Sequence, residues 1–342
     1  MALRRLTTIA VASLLVAGCG SSRGPQPAAT GSIVVEDFRG KKIVLQRPAQ
    51  RVVCLIESAL SGLYMLGAEN AVVGVSSNVY DGPTRRYYAA MDTRLRDKKL
   101  PSPGNWDFVS VESVVALRPD LVVIWSEQGE SIAALEELGV PVFAVFLRSL
   151  DDVFREVRAL GALTGKSARA EELVAWTRGD LGDIERRVGG TTAAERPRTY
   201  FMWAQSDLET SGNVGLVEEL LTRAGALNVC HDVAQEHVVI DRERLRAADP
   251  ELVVMWFNER RGPADVVADP AWKGIRAVRA KRVHELLEVF LCDLWTLKFP
   301  YAVRLVASWA HPDRFAEKDL ATYGERMLEA LYRGKLAPGI AP

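Results

Sequence analysis

The stretch Val109-Ser-Val-Glu-Ser-Val-Val-Ala-Leu-Arg-Pro-Asp-Leu-Val-Val-Ile-Trp125 has a counterpart in Ile240-Asp-Arg-Glu-Arg-Leu-Arg-Ala-Ala-Asp-Pro-Glu-Leu-Val-Val-Met-Trp256. In both stretches a proline lies seven residues after a glutamate and six residues before the tryptophan. Each pattern predicts a short helix, a turn at the proline and a buried strand. The alternative explanation is that this helix–strand pattern is common in α/β proteins. Agreement of both spacings favours two lobes of similar fold.

Short apolar runs alternate with helical patterns around the first stretch. The run Ser58–Leu66 has helical spacing and ends at Gly67, a residue type that favours helix C-caps. Strands are predicted at Arg51–Ile56, Ala71–Val75, Leu121–Trp125 and Val140–Phe146. This alternation indicates an α/β fold with a mostly parallel sheet covered by helices on both faces.

A long helical region separates the two halves. Ser149 is a candidate N-cap, and Thr164-Gly-Lys166 is expected to interrupt the pattern before a second helix from about Ser167 to Val188. The predicted fold is therefore two Rossmann-like lobes joined by a single long α-helix. The expected divisions are a first ligand-binding lobe at 32–148, a linking region at 149–190 and a second ligand-binding lobe at 191–342.

The N-terminus has the features of a secretory signal. Two arginines, an apolar stretch too short to span a bilayer and small residues precede Cys19. Val16-Ala-Gly-Cys19 resembles a bacterial lipobox, whose cysteine is acylated. We expect a signal peptide at 1–18, a flexible tether at 19–31 and membrane attachment through the Cys19 lipid only. A chance cysteine after an ordinary signal is the alternative, and the choice between inner and outer membrane stays open.

Composition limits the partners. Apolar residues make up 48% of the chain, charged residues 25%, and the formal net charge of −1 gives no reason to expect nucleic acid. About 310 residues remain after the tether, which suits two domains, and we expect a monomer. Cys54 lies in an apolar run and is expected to be buried, whereas pairing of Cys230 with Cys292 stays open.

Several segments together resemble a known family of binding proteins. They are Arg51–Ser76, the two Glu-x6-Pro motifs, Tyr200-Phe-Met-Trp203, Thr210-Ser-Gly-Asn213, Leu220-Leu-Thr-Arg-Ala-Gly-Ala226 and His311-Pro-Asp-Arg-Phe315. They are similar to segments of the helical-backbone (class III) periplasmic substrate-binding proteins of ABC importers, which carry iron–siderophore complexes, haem, cobalamin and some oxyanions. The resemblance covers nearly all of the mature chain. It implies a periplasmic or cell-envelope protein with its ligand in the cleft between two lobes.

The equivalent acids of the repeat, Glu112 and Glu243, gain a role from this resemblance. Family members carry one glutamate on each lobe that pairs with arginines of the membrane permease. The alternative is a solvated charge in the first turn of a helix, which contributes little to stability. The resemblance implies that ABC permease subunits bind through these two residues.

Candidate ligand-binding residues follow from the rule that ligands lie beyond the carboxyl ends of parallel strands. The loops expected there are rich in aromatic side chains with a few polar groups, which suits a large planar or chelated ligand. Arg148 could bind an anionic group, while Trp125 and Trp256 could instead only cap buried strands. The candidates are Glu57, Ser58, Tyr80, Trp106, Trp125, Arg148, Trp203, Gln205, Trp256, Asn258, Asp293 and Trp295.

Direct metal ligation is a weaker hypothesis. His231, His237 and Cys292 carry metal-binding groups, but their spacing matches no standard zinc pattern. We expect no cofactor and a metal chelate as ligand, by default an iron–siderophore complex. Cobalamin, haem and molybdate- or tungstate-type oxyanions are the alternatives.

A secreted enzyme or a sensory lipoprotein would be a different class of function. Past the tether, the chain contains no Gly-x-Ser-x-Gly or His-Glu-x-x-His motif that would support catalysis. The two glutamates of the repeat count against a lipoprotein that works without a transporter.

Acylation of Cys19 can be tested by metabolic labelling with a radioactive fatty acid. The wild-type protein should carry the label, and Cys19→Ala should lose it because the acylated thiol is gone. Cys230→Ala leaves the lipobox intact and should keep the label. An unlabelled wild-type protein would contradict the anchor.

Overall fold

The computed structural model describes residues 31–315 and 317–336. Cys19, the predicted signal peptide and nearly all of the predicted tether lie outside these residues. The first lobe contains β1 (Ile33–Glu36), β2 (Lys42–Leu45), β3 (Val52–Cys54), α1 (Glu57–Leu66), β4 (Val72–Val75), α2 (Arg85–Met91), α3 (Thr93–Arg96), α4 (Val111–Ala116), β5 (Leu121–Trp125), α5 (Gly129–Glu137) and β6 (Val142–Val145). Short 3-10 turns lie at Glu69–Ala71 and Ser77–Tyr80.

Two helices, α6 (Leu150–Leu163) and α7 (Ser167–Val188), lead to the second lobe. That lobe contains a 3-10 turn at Ala193–Glu195, then β7 (Arg198–Met202), β8 (Glu209–Thr210), α8 (Leu216–Arg223), β9 (Leu227–Asn228), β10 (Val238–Val239), α9 (Arg242–Ala248), β11 (Leu252–Met255), α10 (Pro263–Ala268), α11 (Arg276–Arg279) and β12 (Val283–Glu285). The chain continues into α12 (Phe299–Ala310) and α13 (Glu317–Tyr332).

Both lobes are built on a four-stranded parallel sheet with the same strand order. The first sheet has the order β4-β3-β5-β6 and the second the order β9-β7-β11-β12. The order therefore reverses between β3 and β5 in one lobe and between β7 and β11 in the other. Ligands of such sheets bind beyond the carboxyl ends of the strands at this switch point. The matching orders confirm the predicted α/β fold with two related lobes.

Each sheet buries one face in a core of its own lobe and the other face in a core that both lobes share. Val53 and Val253 lie in the two lobe cores, whereas their neighbours Val52 and Leu252 lie in the shared core. This alternation follows from the two-residue period of a strand. Because the buried faces of α1, α6, α7, α12 and α13 complete the shared core, the helices between the sheets serve both lobes.

The linking region follows the predicted pattern. Ser149 caps α6 through a capping box with Asp152. Gly165 has a φ of +71°, in the left-handed region, so the helical path breaks there before α7 begins at Ser167. At 1.5 Å per residue, α7 is about 33 Å long. Among the described residues, no helix has the length and apolarity needed to span a bilayer.

The end of the chain returns to the first lobe. Helix α13 packs against α12 and against α1, and the Tyr332 hydroxyl lies 2.6 Å from Ser61 Oγ of α1. Arg169 of α7 donates hydrogen bonds to the carbonyl oxygens of Ala330 and Leu331. The final helix, which the sequence assigns to the second lobe, therefore contacts the first lobe and joins the lobes a second time.

Candidate functional site

Two carboxyl groups from different lobes, those of Glu57 and Asp293, lie near the switch point of the first sheet. Glu57 follows β3, and its carboxylate accepts a hydrogen bond from Ser76 Oγ. The Tyr88 hydroxyl donates to the Glu57 carbonyl oxygen at 2.8 Å. Burial raises the pKa of Glu57. Burial also raises the pKa of Asp293; the charge of Lys298 opposes this rise, and the charge of Glu57 adds to it. Ionisation of both acids is therefore disfavoured at this switch point.

A buried ammonium group lies near Asp293. Lys298 is 1% exposed, and its Nζ donates to Ser61 Oγ at 3.1 Å and to the Tyr332 hydroxyl at 3.4 Å. The Nζ also lies 3.9 Å from the ring centroid of Phe290. Burial lowers the pKa of Lys298 to about 8, with Asp293 opposing the shift. One side chain thus contacts the first lobe, the final helix and its own segment.

The segment 286–298 follows β12 and packs against α2 of the first lobe. Phe290 stacks on Tyr87 of α2, with ring centroids 4.1 Å apart and planes 6° apart. Beside this stack, Arg86 Nη2 lies 2.7 Å from Glu288 Oε1. An aromatic stack and an ion pair therefore hold the segment that carries Asp293 in position.

Aromatic side chains form one wall at the switch point of the second sheet. Trp203 and Trp256 follow β7 and β11, and their ring centroids lie 5.4 Å apart. Trp295 lies 5.9 Å from Trp256 and 6.4 Å from Trp203, while His237 stacks on Trp203 at 4.9 Å. Trp203 is buried, and its Nε1 donates to Ser211 Oγ at 3.0 Å. Trp203 thus supports the two half-buried indoles, Trp256 and Trp295.

The single predicted cation of the site lies near an acid of the other lobe. Arg148 lies over the Phe146 ring at 4.8 Å, and Trp125 packs against the same ring. Burial raises the pKa of Glu236, while the neighbouring His237 and Arg148 oppose the shift. Arg148 and Glu236 are therefore near enough for their charges to interact across the two lobes.

The remaining candidates lie outside these two clusters or bind other groups. The Tyr80 hydroxyl donates to the carbonyl oxygen of Leu100 at 2.7 Å. The Asn258 amide donates to the carbonyl oxygen of Ala204 at 3.3 Å, and its backbone N–H donates to Glu285 at 2.8 Å. The other three comprise half-buried Ser58, exposed Gln205 and Trp106, which is 54% exposed.

The metal-ligating candidates bind separate partners. His231 Nδ1 lies 2.7 Å from Glu218 Oε1, and His237 Nδ1 lies 2.8 Å from Glu209 Oε1. Burial raises the pKa of the Cys292 thiol to about 12. Cys230 and Cys292 are both free and buried, so they do not form a disulfide. Within the described residues, no group of three or more His, Cys, Asp or Glu side chains could hold a metal ion.

The two glutamates of the repeat occupy equivalent places. Glu112 and Glu243 are exposed second residues of α4 and α9. The N-caps of these helices, Ser110 and Asp241, each accept a hydrogen bond from the backbone N–H of the third helical residue. Within the described part of the chain, neither glutamate has an ion-pair partner.

Glu156 is a buried acid near Asp293 that the sequence analysis missed. It is 1% exposed, and its Oε1 has no hydrogen-bond partner among the described residues. Burial, with a smaller contribution from Asp293, raises the pKa of Glu156 to about 8. The available signal was its helical position, three residues after Val153 and four before Leu160 on the buried face of α6. Ser76 and Lys298 had no comparable signal.

Comparison with known proteins gives consistent matches. A profile of the periplasmic binding protein family matches residues 52–288. The chain is 25% identical to the uncharacterized ABC transporter substrate-binding lipoprotein YvrC of Bacillus subtilis, over 90% of this chain and 96% of that protein. It is 29% identical to a cobalamin-binding protein of Halobacterium salinarum, over 75% of this chain and 69% of that protein. The structure of molybdate-bound MolA from Haemophilus influenzae is similar in fold, with a TM-score of 0.75, 22% identity and coverage of 88% and 98%.

The protonation of Glu156 predicts a pH-dependent effect of Glu156→Gln. The folded pKa of about 8 exceeds the ordinary value of 4.5, so stability is lost as pH rises from 4.5 to 8 while only the unfolded chain ionises. The glutamine variant avoids this loss. Its free energy of unfolding should exceed that of the wild type by about 4 kcal/mol at pH 8 and by less than about 1 kcal/mol at pH 5.

Urea denaturation at both pH values measures this difference. Glu137→Gln, at an exposed position near the end of α5, is the control and should show no such pH dependence. An equal effect of Glu156→Gln at pH 5 and pH 8 would contradict the assignment of a protonated carboxyl.

Proposed function

Because the chain belongs to the periplasmic binding protein family, we propose that it captures a metal chelate between its lobes and delivers it to the permease of an ABC importer. The supporting observation is the pair of matching switch points, with acids at one and indoles at the other. Relatives named as transport binding proteins support a binding role rather than catalysis. We further propose that the protein works in the periplasm or cell envelope, anchored through the Cys19 lipid.

The charge and surface of the candidate site favour a chelate without net negative charge. Trp256 and Trp295 offer apolar faces, Glu57 and Asp293 offer carboxyl groups, and Arg148 is the single predicted cation. An oxyanion such as molybdate needs cationic or N–H donors, and the propionates of haem or a catecholate siderophore add negative charge. A corrinoid has large apolar faces and amide groups whose N–H can donate hydrogen bonds to carboxyl oxygens.

We therefore propose a corrinoid as the ligand, which also agrees with the cobalamin-binding relative. The sequence predicts an iron–siderophore complex by default. Among such complexes, neutral ferric hydroxamates are the second candidate, since they also lack negative charge. Both candidates use the same walls, so a binding measurement has to compare them directly.

Removal of either half-buried indole should weaken binding of the chelate. Trp256→Ala and Trp295→Ala should each reduce the affinity for cyanocobalamin about 10- to 100-fold, because each variant removes a stacking surface. Isothermal titration with cyanocobalamin, ferrioxamine and molybdate measures this. Trp176→Ala removes a half-buried indole from α7 and should leave affinity unchanged. Tight molybdate binding with no chelate binding would contradict the proposed ligand class.

The permease is proposed to bind Glu112 and Glu243 through basic side chains. Both carboxylates are exposed and have equivalent positions on the two lobes, so they could form two similar ion pairs with one dimeric partner. Each lies outside the clusters at the switch points, which separates docking from ligand binding.

Charge reversal of both glutamates should separate transport from ligand binding. Glu112→Arg combined with Glu243→Arg should abolish uptake, because like charges would meet at both contacts, while ligand affinity stays the same. Uptake of radiolabelled cyanocobalamin and isothermal titration give the two readouts. Glu130→Arg, an exposed first-turn glutamate of α5, is the matched control. Uptake that survives the double reversal would exclude the docking role.

A further inference from the structure

The two most exposed large hydrophobic side chains of the described residues occupy equivalent positions of the internal repeat. Val239 is 78% exposed and Phe108 is 66% exposed. Phe108 lies four residues before Glu112, and Val239 lies four residues before Glu243. Single exposed apolar residues are common on protein surfaces. Two that lie at the same position of the repeat, each four residues before an exposed glutamate, indicate a shared role.

The first lobe holds Phe108 on a rigid loop. The Asn105 backbone N–H donates to the Phe108 carbonyl oxygen at 2.7 Å, and Asn105 Oδ1 accepts from the Phe108 backbone N–H at 3.1 Å. Gly104 approaches so closely that a Cβ there would lie 2.2 Å from the Phe108 carbonyl oxygen. The next residue, Val109, packs against the lobe core. The backbone therefore fixes Phe108 in an outward position.

The second lobe holds Val239 on an antiparallel ribbon. Val239 pairs with Glu209 in the β8–β10 pair, and the next residue, Ile240, donates its backbone N–H to the Leu208 carbonyl oxygen at 3.0 Å. Val238 and Ile240 are 7% and 6% exposed, so strand alternation turns Val239 outward. Both lobes thus present an ordered apolar side chain, an N-cap and an exposed glutamate in the same sequence order.

We propose that Phe108 with Glu112, and Val239 with Glu243, form two docking patches that bind apolar pockets beside basic side chains on the permease dimer. This inference rests on the proposed docking role of the glutamates. Equivalent patches on two related lobes fit a partner that repeats one complementary site, as a symmetric dimer does. The glutamates supply charge complementarity, and the apolar side chains supply contact area that becomes buried only in the complex.

Binding of the full-length protein to the importer's permease dimer in lipid nanodiscs tests the proposal. Phe108→Ser and Val239→Ser should each lower the affinity about tenfold, as loss of an interface anchor does. The loss should persist at about 0.5 M salt, where charge contacts are screened, whereas the loss caused by Glu112→Gln should shrink. Leu138→Ser is the control, because Leu138 is 61% exposed but lies outside both patches.

The outcomes separate this inference from the proposed function. Unchanged affinity of the Phe108→Ser/Val239→Ser double variant, with binding lost on reversal of both glutamates, would overturn the apolar patches alone. A drop in cyanocobalamin affinity in Phe108→Ser would assign the side chain to the ligand site and also overturn them. No binding of the wild-type protein to the permease would overturn the docking role together with the patches. Equal thermal unfolding midpoints of the variants confirm that each one is folded.

Discussion

The buried ammonium of Lys298 joins parts of the chain that are distant in sequence. It donates to a hydroxyl on α1 of the first lobe and to a hydroxyl at the end of α13, and it lies over the ring of Phe290. Burial of an amine without such partners would lower the stability of the folded protein. Because all three contacts require one arrangement of α1, α13 and the segment 286–298, this side chain fixes where the lobes meet.

The same segment connects the lobe junction to the candidate site. It carries Asp293, which lies near Glu57 at one switch point, and Trp295, which completes the aromatic wall at the other. The lobes are also joined through α6 and α7 and through the return of α13. Rotation of one lobe against the other would therefore disturb these contacts, which favours modest closure around a ligand.

Features set by local patterns could be predicted from the sequence. The bounds of α7, the cap at Ser149 and the two related lobes follow from periodicity, capping residues and the repeat. Features set by long-range contacts could not. His237 suggested a metal ligand, but it stacks on Trp203 because the β8–β10 ribbon brings it there. Similarly, nothing near Lys298 in sequence indicates that its partners lie on α1 and α13. The aromatic candidates at the strand ends could be predicted from the sequence, because the carboxyl ends of parallel strands meet at one edge of the sheet.

We propose that a corrinoid or similar chelate lies between the two lobes at the matching switch points. Anomalous scattering from cobalt, in crystals grown with cyanocobalamin, tests this most directly. The expected result is one cobalt site between the carboxyl ends of β3 and β5 and those of β7 and β11, with the corrin ring against Trp256 or Trp295. A cobalt site elsewhere, or none at saturating cyanocobalamin, would contradict it.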